Sequence, residues 1–379
     1  MASKNKGEVS ELYTLIYILG NGVVPLVDGR LRCLGRELNF KAVYRKEGAV
    51  RTAGVKTEVS NQYVLDADKD LIFINYLGNR VGQVSKKLLR QKASETLRLV
   101  QDNGAVDDNN PLILAILKLL HTQALSAKAS DKSDFSGDVT TEGVPGVQHL
   151  GFSIKSNLGS ASTLINANKE SSAFRFELIK EDKSPTEEEA KDLNASPNAL
   201  REAIDQGWTL KFVKACGKAL NYNLRLMDSL GPEIIASLLL ERYYGKTASL
   251  PITRLIERIS QDERSRLYPA VESFGETPEE RKAVLEFKVR NILLGFATGA
   301  TVGIRWDGRD DANGGFIVVK KNGEIVCLEL FTREAVGRYL LDWTFFEEPS
   351  RKRHGHNKVL IEDGRGYIDL QLQVRFRQS

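Results

Sequence analysis

Leu12-Tyr13-Thr14-Leu15-Ile16-Tyr17-Ile18-Leu19 is a compact apolar run that follows a polar start, and it reads as the first helix of a fold. It is too short for a secretory signal and has no small-residue cleavage site after it. Short strands are predicted next at Leu38 to Tyr44 and Asp70 to Tyr76, rich in β-branched and aromatic residues and bounded by glycines and charged turns. From Arg80 to Leu99 the pattern turns helical. Asn110-Pro111 marks a helix start, a capping residue before proline, and Leu112 to Leu120 supplies a strongly buried helix.

A small-polar linker, Ala124 to Ser136, leads to strands at Asp138 to Thr141 and Leu150 to Ser156, a helical stretch from about Ser160 and a strand at Ala173 to Ile179. Glu181 to Asp192 reads as an exposed connection. After a strand at Thr209 to Lys214 the chain is mainly helical to residue 298; Thr277-Pro278-Glu279-Glu280 gives a capping box that launches the helix through Leu294. The last 80 residues are strand-rich: Thr301 to Arg305, Gly315 to Lys320, Glu324 to Leu330 and Tyr367 to Phe376, with Asn322-Gly323 predicting a two-residue hairpin. No internal repeat is present. The expected division is 1–105, helix plus strands; 106–298, a core with a helical extension; and 299–379, a β-rich region.

Composition narrows the function. A chain of 379 residues with 41% hydrophobic and 27% charged residues can bury sizeable cores, and no apolar run approaches the roughly 20 residues of a bilayer helix. Cys33, Cys216 and Cys327 have no CxxC spacing, which argues against disulfides and zinc and suits a reducing cytoplasm. The net charge of +4 permits an anionic partner without requiring one. Arg80, Lys86, Lys87, Arg90, Lys92 and Arg98 face a single acid, Glu95; a solvated helix face is the simpler explanation, a phosphate-facing one the alternative. Walker loops, dinucleotide fingerprints and zinc fingers are absent.

The chemistry concentrates in "GFSIKSNLGS" at 151–160. In a strand Phe152 and Ile154 share one face, and Ser153 and Lys155 the other. An aspartate on a neighbouring strand followed by x-Lys is the arrangement in which nucleases bind Mg²⁺ through a carboxylate and a backbone carbonyl while lysine aligns water. Asp138 is the natural partner and Ile154 would lend the carbonyl. Spacing alone favours an edge-strand lysine in water. Ser153 stands where an acid is usual; Glu170, on the expected helix, is the first candidate to replace it, and Glu142 and Glu95 are weaker ones.

Longer blocks reach further. "LYTLIYILGNG" at 12–22, "GFSIKSNLGSASTLINA" at 151–167, "WDGRDDANGGFIVVKKNGEIVCLELFTRE" at 306–334 and "EEPSRKRHGHNKVLIEDGRGYIDLQLQVRF" at 347–376 resemble the HpaII-type restriction endonucleases, in the same order across most of the chain. The resemblance implies an α/β (α+β) fold of the PD-(D/E)xK kind, a mixed sheet flanked by helices. It also implies Mg²⁺-dependent hydrolysis of both DNA strands at CCGG. Its motif falls on Asp138, Ser153 and Lys155, with Gln148 as a nearby polar residue.

A G/C-rich site would suit the loop from Arg305 to Gly315. Arginine bonds guanine and aspartate accepts from cytosine, so Arg305, Asp307, Arg309, Asp310 and Asn313 are candidate readers, against the alternative of a self-satisfied turn. Arg351, Arg353, His354, His356 and Lys358 form the densest basic cluster and are candidate backbone contacts. The expected partners are double-stranded DNA, a second copy of the chain matching a palindrome, and a cognate methyltransferase on another chain, with no membrane. A repair nuclease indifferent to sequence and a non-catalytic DNA-binding protein are the rival functions.

Overall fold

The computed structural model describes residues 6–52, 55–102, 110–122, 125, 132–159, 161–196, 198–245 and 249–377. The chain is mixed α/β, 39% helical and 32% strand. It forms two compact units, one within Met1–Ser162 and Asp310–Val336, the other Thr163–Arg309 with Gly337–Arg377. These boundaries differ from the three consecutive segments expected, because the strands at 315–329 join the sheet of the N-terminal half.

The first unit opens with α1 (Lys6–Asn21), followed by β1 (Val23–Val27), β2 (Cys33–Thr52), β3 (Val55–Leu65), β4 (Leu71–Tyr76) and β5 (Asn79–Ser85). Next come α2 (Lys86–Asp102), α3 (Pro111–Leu119), β6 (Phe135–Thr141) and β7 (Val144–Ser156). Nine strands make one sheet in the order β1, Ile325–Glu329, Gly315–Val319, β7, β6, β2, β3, β4, β5. The Gly315–Val319 strand runs parallel to β7, with Ile317 opposite Ile154; β6 and β7 are an antiparallel hairpin.

Alternation decides which side chains meet solvent. Val43, Tyr63, Ile72, Ile74, Phe135, Val139 and Phe152 form a buried face with Leu12, Ile16 and Leu19 of α1, Leu89 and Ala93 of α2 and Ile113 of α3. Burying such side chains contributes roughly 1.5–3 kcal/mol each before entropy is charged. The opposite face of β6 and β7 is polar and half-open. Asn110 caps α3 by accepting from Leu112 N at 3.0 Å, with Pro111 in the first turn, as its sequence predicts.

The second unit carries a four-stranded sheet, ordered Thr209–Ala215, Ala173–Ile179, Arg365–Gln371 and Val359–Glu362. A three-stranded sheet joins Thr344–Phe346, Val374–Phe376 and Thr163–Ile165, and helices fill most of 187–298. The helix at Pro278–Thr298 has its capping box, Thr277 with Glu280.

Several local expectations fail: Asn79–Ser85 is a strand and the helix begins only at Lys86, and Glu187–Asn194 is a helix capped by Thr186 and Glu189 within the expected exposed connection. Thr163–Ile165 is a strand where a helix was expected, because Ser156 and Ser162 hold a turn before it. Thr301–Arg305 is irregular, its carbonyls at Thr301 and Ile304 taken by the Asn223 amide rather than by a neighbouring strand. The hairpin at Asn322-Gly323 has three loop residues instead of two: Lys320 pairs with Glu324, and Gly323 takes the left-handed conformation at φ 87°. Most of the expected linker at 124–136 lies outside the described residues, but its last residues are ordered and matter most.

Candidate active site

The antiparallel register of β6 and β7 fixes the site. Phe135 pairs with Phe152 and Asp138 with His149, so the residue opposite Ser153 is Asp134. Asp134 N donates to Phe152 O at 2.8 Å. Its carboxylate Oδ2 accepts from Ile154 N at 2.5 Å and from Ser153 Oγ at 3.3 Å. Lys155 Nζ donates to Ser153 Oγ at 2.8 Å and lies 5.8 Å from the centre of the Phe316 ring. In an extended strand a residue's N–H and C=O project to the same side. The Ile154 carbonyl therefore faces Asp134, beyond the first residue of β6, where no ladder partner continues.

Asp138, expected to serve with Lys155, stands elsewhere. It pairs with His149, six residues before Lys155 on β7, which at about 3.3 Å per residue is roughly 20 Å. Its oxygens are occupied by Tyr44 OH and His149 Nδ1, each at 2.7 Å. Gln148 is further still toward the turn, paired with Val139, and its amide donates to Pro145 O at 3.1 Å. The structure thus does not bring Asp138 and Lys155 together.

A second carboxylate near Asp134 comes from another element. Glu11, on α1, senses the charges of Asp134 and Lys155; burial first, and Asp134 next, push its carboxyl up to about 8. Burial also raises Asp134, against the pull of Lys155 and the Ile154 and Ser153 hydrogen bonds. Burial lowers Lys155, while Asp134 and Glu11 support its charge. Lys132 joins them, lowered to about 8 by burial and by Lys155. Two acids and two lysines thus share one poorly solvated corner, a common mark of a working site. Glu170 is not on a helix: it lies in the turn at Lys169–Ser172 of the second unit, where Asn168 Oδ1 accepts from its N–H at 3.1 Å.

Gly151 admits the candidate recognition loop. A Cβ there would overlap the Asp311 carbonyl, so the loop lies directly on β7 between His149 and Ser153. Asn313 Oδ1 accepts from Gly151 N at 2.8 Å, Asp311 Oδ2 from Lys132 N at 3.3 Å, and Asp310 pairs with Arg333 at 3.4 Å. Asp310 and Asn313 therefore anchor the loop. Arg305, Asp307 and Arg309, in the second unit, are exposed: Arg305 stacks over Tyr222 at 5.2 Å, and Asp307 accepts from Arg309 N at 3.0 Å.

The second unit also has a basic cleft of about 530 Å³, lined among others by Lys169, Arg175, Lys352, Arg353, His354 and Lys358. Ser350 caps the one-turn helix Arg351–His354, and Arg351 is tied to Asn194 O and Oδ1 at 3.2 Å. His356 is the exception within the cluster. It is fully buried, accepts from Gln371 N at 3.1 Å and meets Tyr243 edge-on at 4.7 Å, and burial lowers it to about 4. A neutral core histidine cannot reach DNA.

The HpaII restriction endonuclease family model matches residues 5–376. A curated relative, the type II restriction enzyme HpaII of Haemophilus parainfluenzae, is 31% identical over 378 residues, covering 99% of this chain and 98% of its own. The chain belongs to the HpaII restriction endonuclease family. No solved structure matches it. It is accordingly a restriction enzyme, a site-specific deoxyribonuclease acting on double-stranded DNA, of a class that uses divalent metal ions. In the first unit Glu11, Lys132, Asp134 and Lys155 crowd the end of β7 at Ile154. Among the described residues no three His, Cys, Asp or Glu side chains gather to hold a metal, and no helix is long and apolar enough to cross a membrane.

Asp134 and Glu11 escaped sequence reading for identifiable reasons. Asp134 sat in a run read as linker, and counting back from the turn at Glu142-Gly143 would have set it opposite Gly151; a bulge between Val139 and Thr141 moves it opposite Ser153. Glu11 was visible as one of two acids, with Glu8, at the start of an apolar helix.

Proposed function

We propose that this chain hydrolyses both strands of duplex DNA at CCGG with Mg²⁺, using Glu11, Asp134, Ser153, the Ile154 carbonyl and Lys155. The observation that carries this reading is the Asp134 carboxylate bonded to Ile154 N and Ser153 Oγ, with Lys155 Nζ on that same Ser153 hydroxyl. Two carboxylates raised by burial, Glu11 also by the charge of Asp134, fit a divalent cation, which would relieve both causes. Asp134, Glu11 and the Ile154 carbonyl would hold it, an all-oxygen set that leaves positions for water and phosphate. When bound, such a cation polarises a phosphate oxygen and stabilises charge on the leaving 3′ oxygen.

Lys155 orients the attacking water and compensates charge on the phosphate. Ser153, with no charge of its own, fixes the lysine relative to Asp134. Water oxygen bonds to phosphorus, the bond from phosphorus to the 3′ oxygen breaks, and a 5′ phosphate and a 3′ hydroxyl result. The exposed Arg305, Asp307 and Arg309 suit the edges of guanine and cytosine. Arg353, His354 and Lys358 in the basic cleft suit backbone phosphates. A homodimer would match the palindrome and assign one site to each strand. A methyltransferase in the same cytoplasm would protect host sites.

Digesting a plasmid of known sequence with Mg²⁺ and mapping the ends tests this. Discrete fragments ending at CCGG are expected. Random nicking, or fragments at another motif, would defeat the site assignment to CCGG.

A further inference from the structure

A row of side chains crosses five strands on the half-open face of the first unit's sheet. Asn75 Nδ2 donates to Gln62 Oε1 at 3.1 Å, and Gln62 Nε2 donates to Tyr44 Oη at 3.0 Å. Tyr44 OH donates to Asp138 Oδ2 at 2.7 Å, and His149 Nδ1 lies 2.7 Å from Asp138 Oδ1. The row follows cross-strand pairs: Asn75 with Gln62, Gln62 with Tyr44, Asp138 with His149. A carboxylate only accepts, so Nδ1 is the donor and Nε2 points away from Asp138. The imidazole also meets Tyr44 edge-on at 5.1 Å, yet its side chain is 60% exposed. Ordering five polar side chains costs conformational entropy, and partly solvated hydrogen bonds return little of it. Such a row stabilises poorly and orients well.

What it orients lies beside the candidate chemistry. His149 shares its face of β7 with Ser153 and Lys155, four and six residues on, or roughly 13 and 20 Å away. Gly151, between them, holds the Asp311 backbone. We propose that His149 is a positioning residue for DNA, its Nε2–H taking a backbone phosphate several nucleotides from the one being cut, with Asp138, Tyr44, Gln62 and Asn75 fixing the ring. At about 3.4 Å of axial rise per nucleotide the offset from Lys155 spans about 4–6 nucleotides. The contact adds affinity and register without reading a base. It rests on the active-site assignment only for its distance from the cut.

Equilibrium binding of the full chain to a CCGG duplex in EDTA tests it, at pH 6, below the ordinary histidine value of about 6.5, across a salt series. His149→Ala should raise Kd about 10-fold and reduce the salt slope by about 0.9, the loss of one phosphate contact. His149→Arg should restore the slope, and Asp138→Asn should weaken binding in the same direction by less. With Mg²⁺, the loss in Kd should exceed the loss in cutting rate at saturating protein. An unchanged salt slope in His149→Ala, or a loss confined to the saturated rate, would overturn the proposal. Cutting that survives in Asp134→Asn would instead defeat the active-site assignment and leave the slope result standing.

Discussion

The two ends of the β6–β7 hairpin carry an aspartate each, on the same face of the same strand and four residues apart. At the open end Asp134 is crowded by Glu11, Lys132 and Lys155, and burial raises the two carboxyls and lowers the two lysines from their ordinary values. At the turn end Asp138 is bonded to Tyr44 and to an exposed histidine. Residue type is identical at both ends. Desolvation and the neighbours' charge separate a group poised for chemistry from one that holds a side chain still. If that contrast is right, equal substitutions at the two ends have unequal consequences.

The largest effect belongs to the open end. Asp134→Asn and Lys155→Ala should each slow CCGG cutting at saturating Mg²⁺ by about 10³-fold or more while DNA binding persists. A variant of either kind that still cuts within tenfold of the parent would remove it from the catalytic set. Gly151→Ala comes next, since its methyl overlaps the Asp311 carbonyl and backbone cannot rotate away as a side chain does. It should cost about 1–3 kcal/mol in denaturant unfolding and detach the loop, so cutting falls even where the protein stays folded. Unchanged stability and activity would show that the loop does not depend on that close approach.

Glu11 sharpens the comparison through pH. Its folded-state carboxyl is raised to about 8 from the ordinary 4.5, so the folded chain holds a proton that the unfolded chain has released. Stability from this group is complete below about 4.5 and is lost as pH rises toward 8. In metal-free buffer Glu11→Gln should therefore raise Tm at pH 8, less so at pH 5, while abolishing cutting. A lower Tm at pH 8 would mean that the acid is well compensated. Added Mg²⁺ should raise the parent's Tm and leave the variant's nearly unmoved.

Much of this was legible in the chain. The strand carrying Lys155, its two faces, the cap at Asn110 and the capping box at Thr277 follow from local periodicity and turn chemistry, which act over a few residues. Register does not. Asp138 lay in the predicted strand and Asp134 in the predicted linker, and it is the bulge between Val139 and Thr141, added to the turn at Thr141–Val144, that sets Asp134 opposite Ser153. Glu11 reaches the site through the packing of α1, more than 120 residues away in sequence, which no local pattern encodes. His356 was misjudged for the opposite reason. Its neighbours Arg353 and Lys358 are exposed, but the histidine turns inward to Gln371 and Tyr243.

The smallest effect should come from Asp138→Asn, which keeps the shape of the side chain and removes its charge. An amide oxygen can still accept from Tyr44, but the amide nitrogen now faces His149 Nδ1, which must become an acceptor. The ring keeps its place and its outward Nε2–H, and loses the hydrogen on Nδ1. Folding stability should shift by less than about 1 kcal/mol, because both groups are partly solvated. The rate at saturating protein should fall by less than about tenfold, against the thousandfold expected of Asp134→Asn. Parallel time courses of the two variants on one CCGG duplex decide the matter. Equal losses would mean that Asp138 belongs to the chemistry as much as the residue opposite Ser153, and the contrast assigned from the hairpin's register would fail.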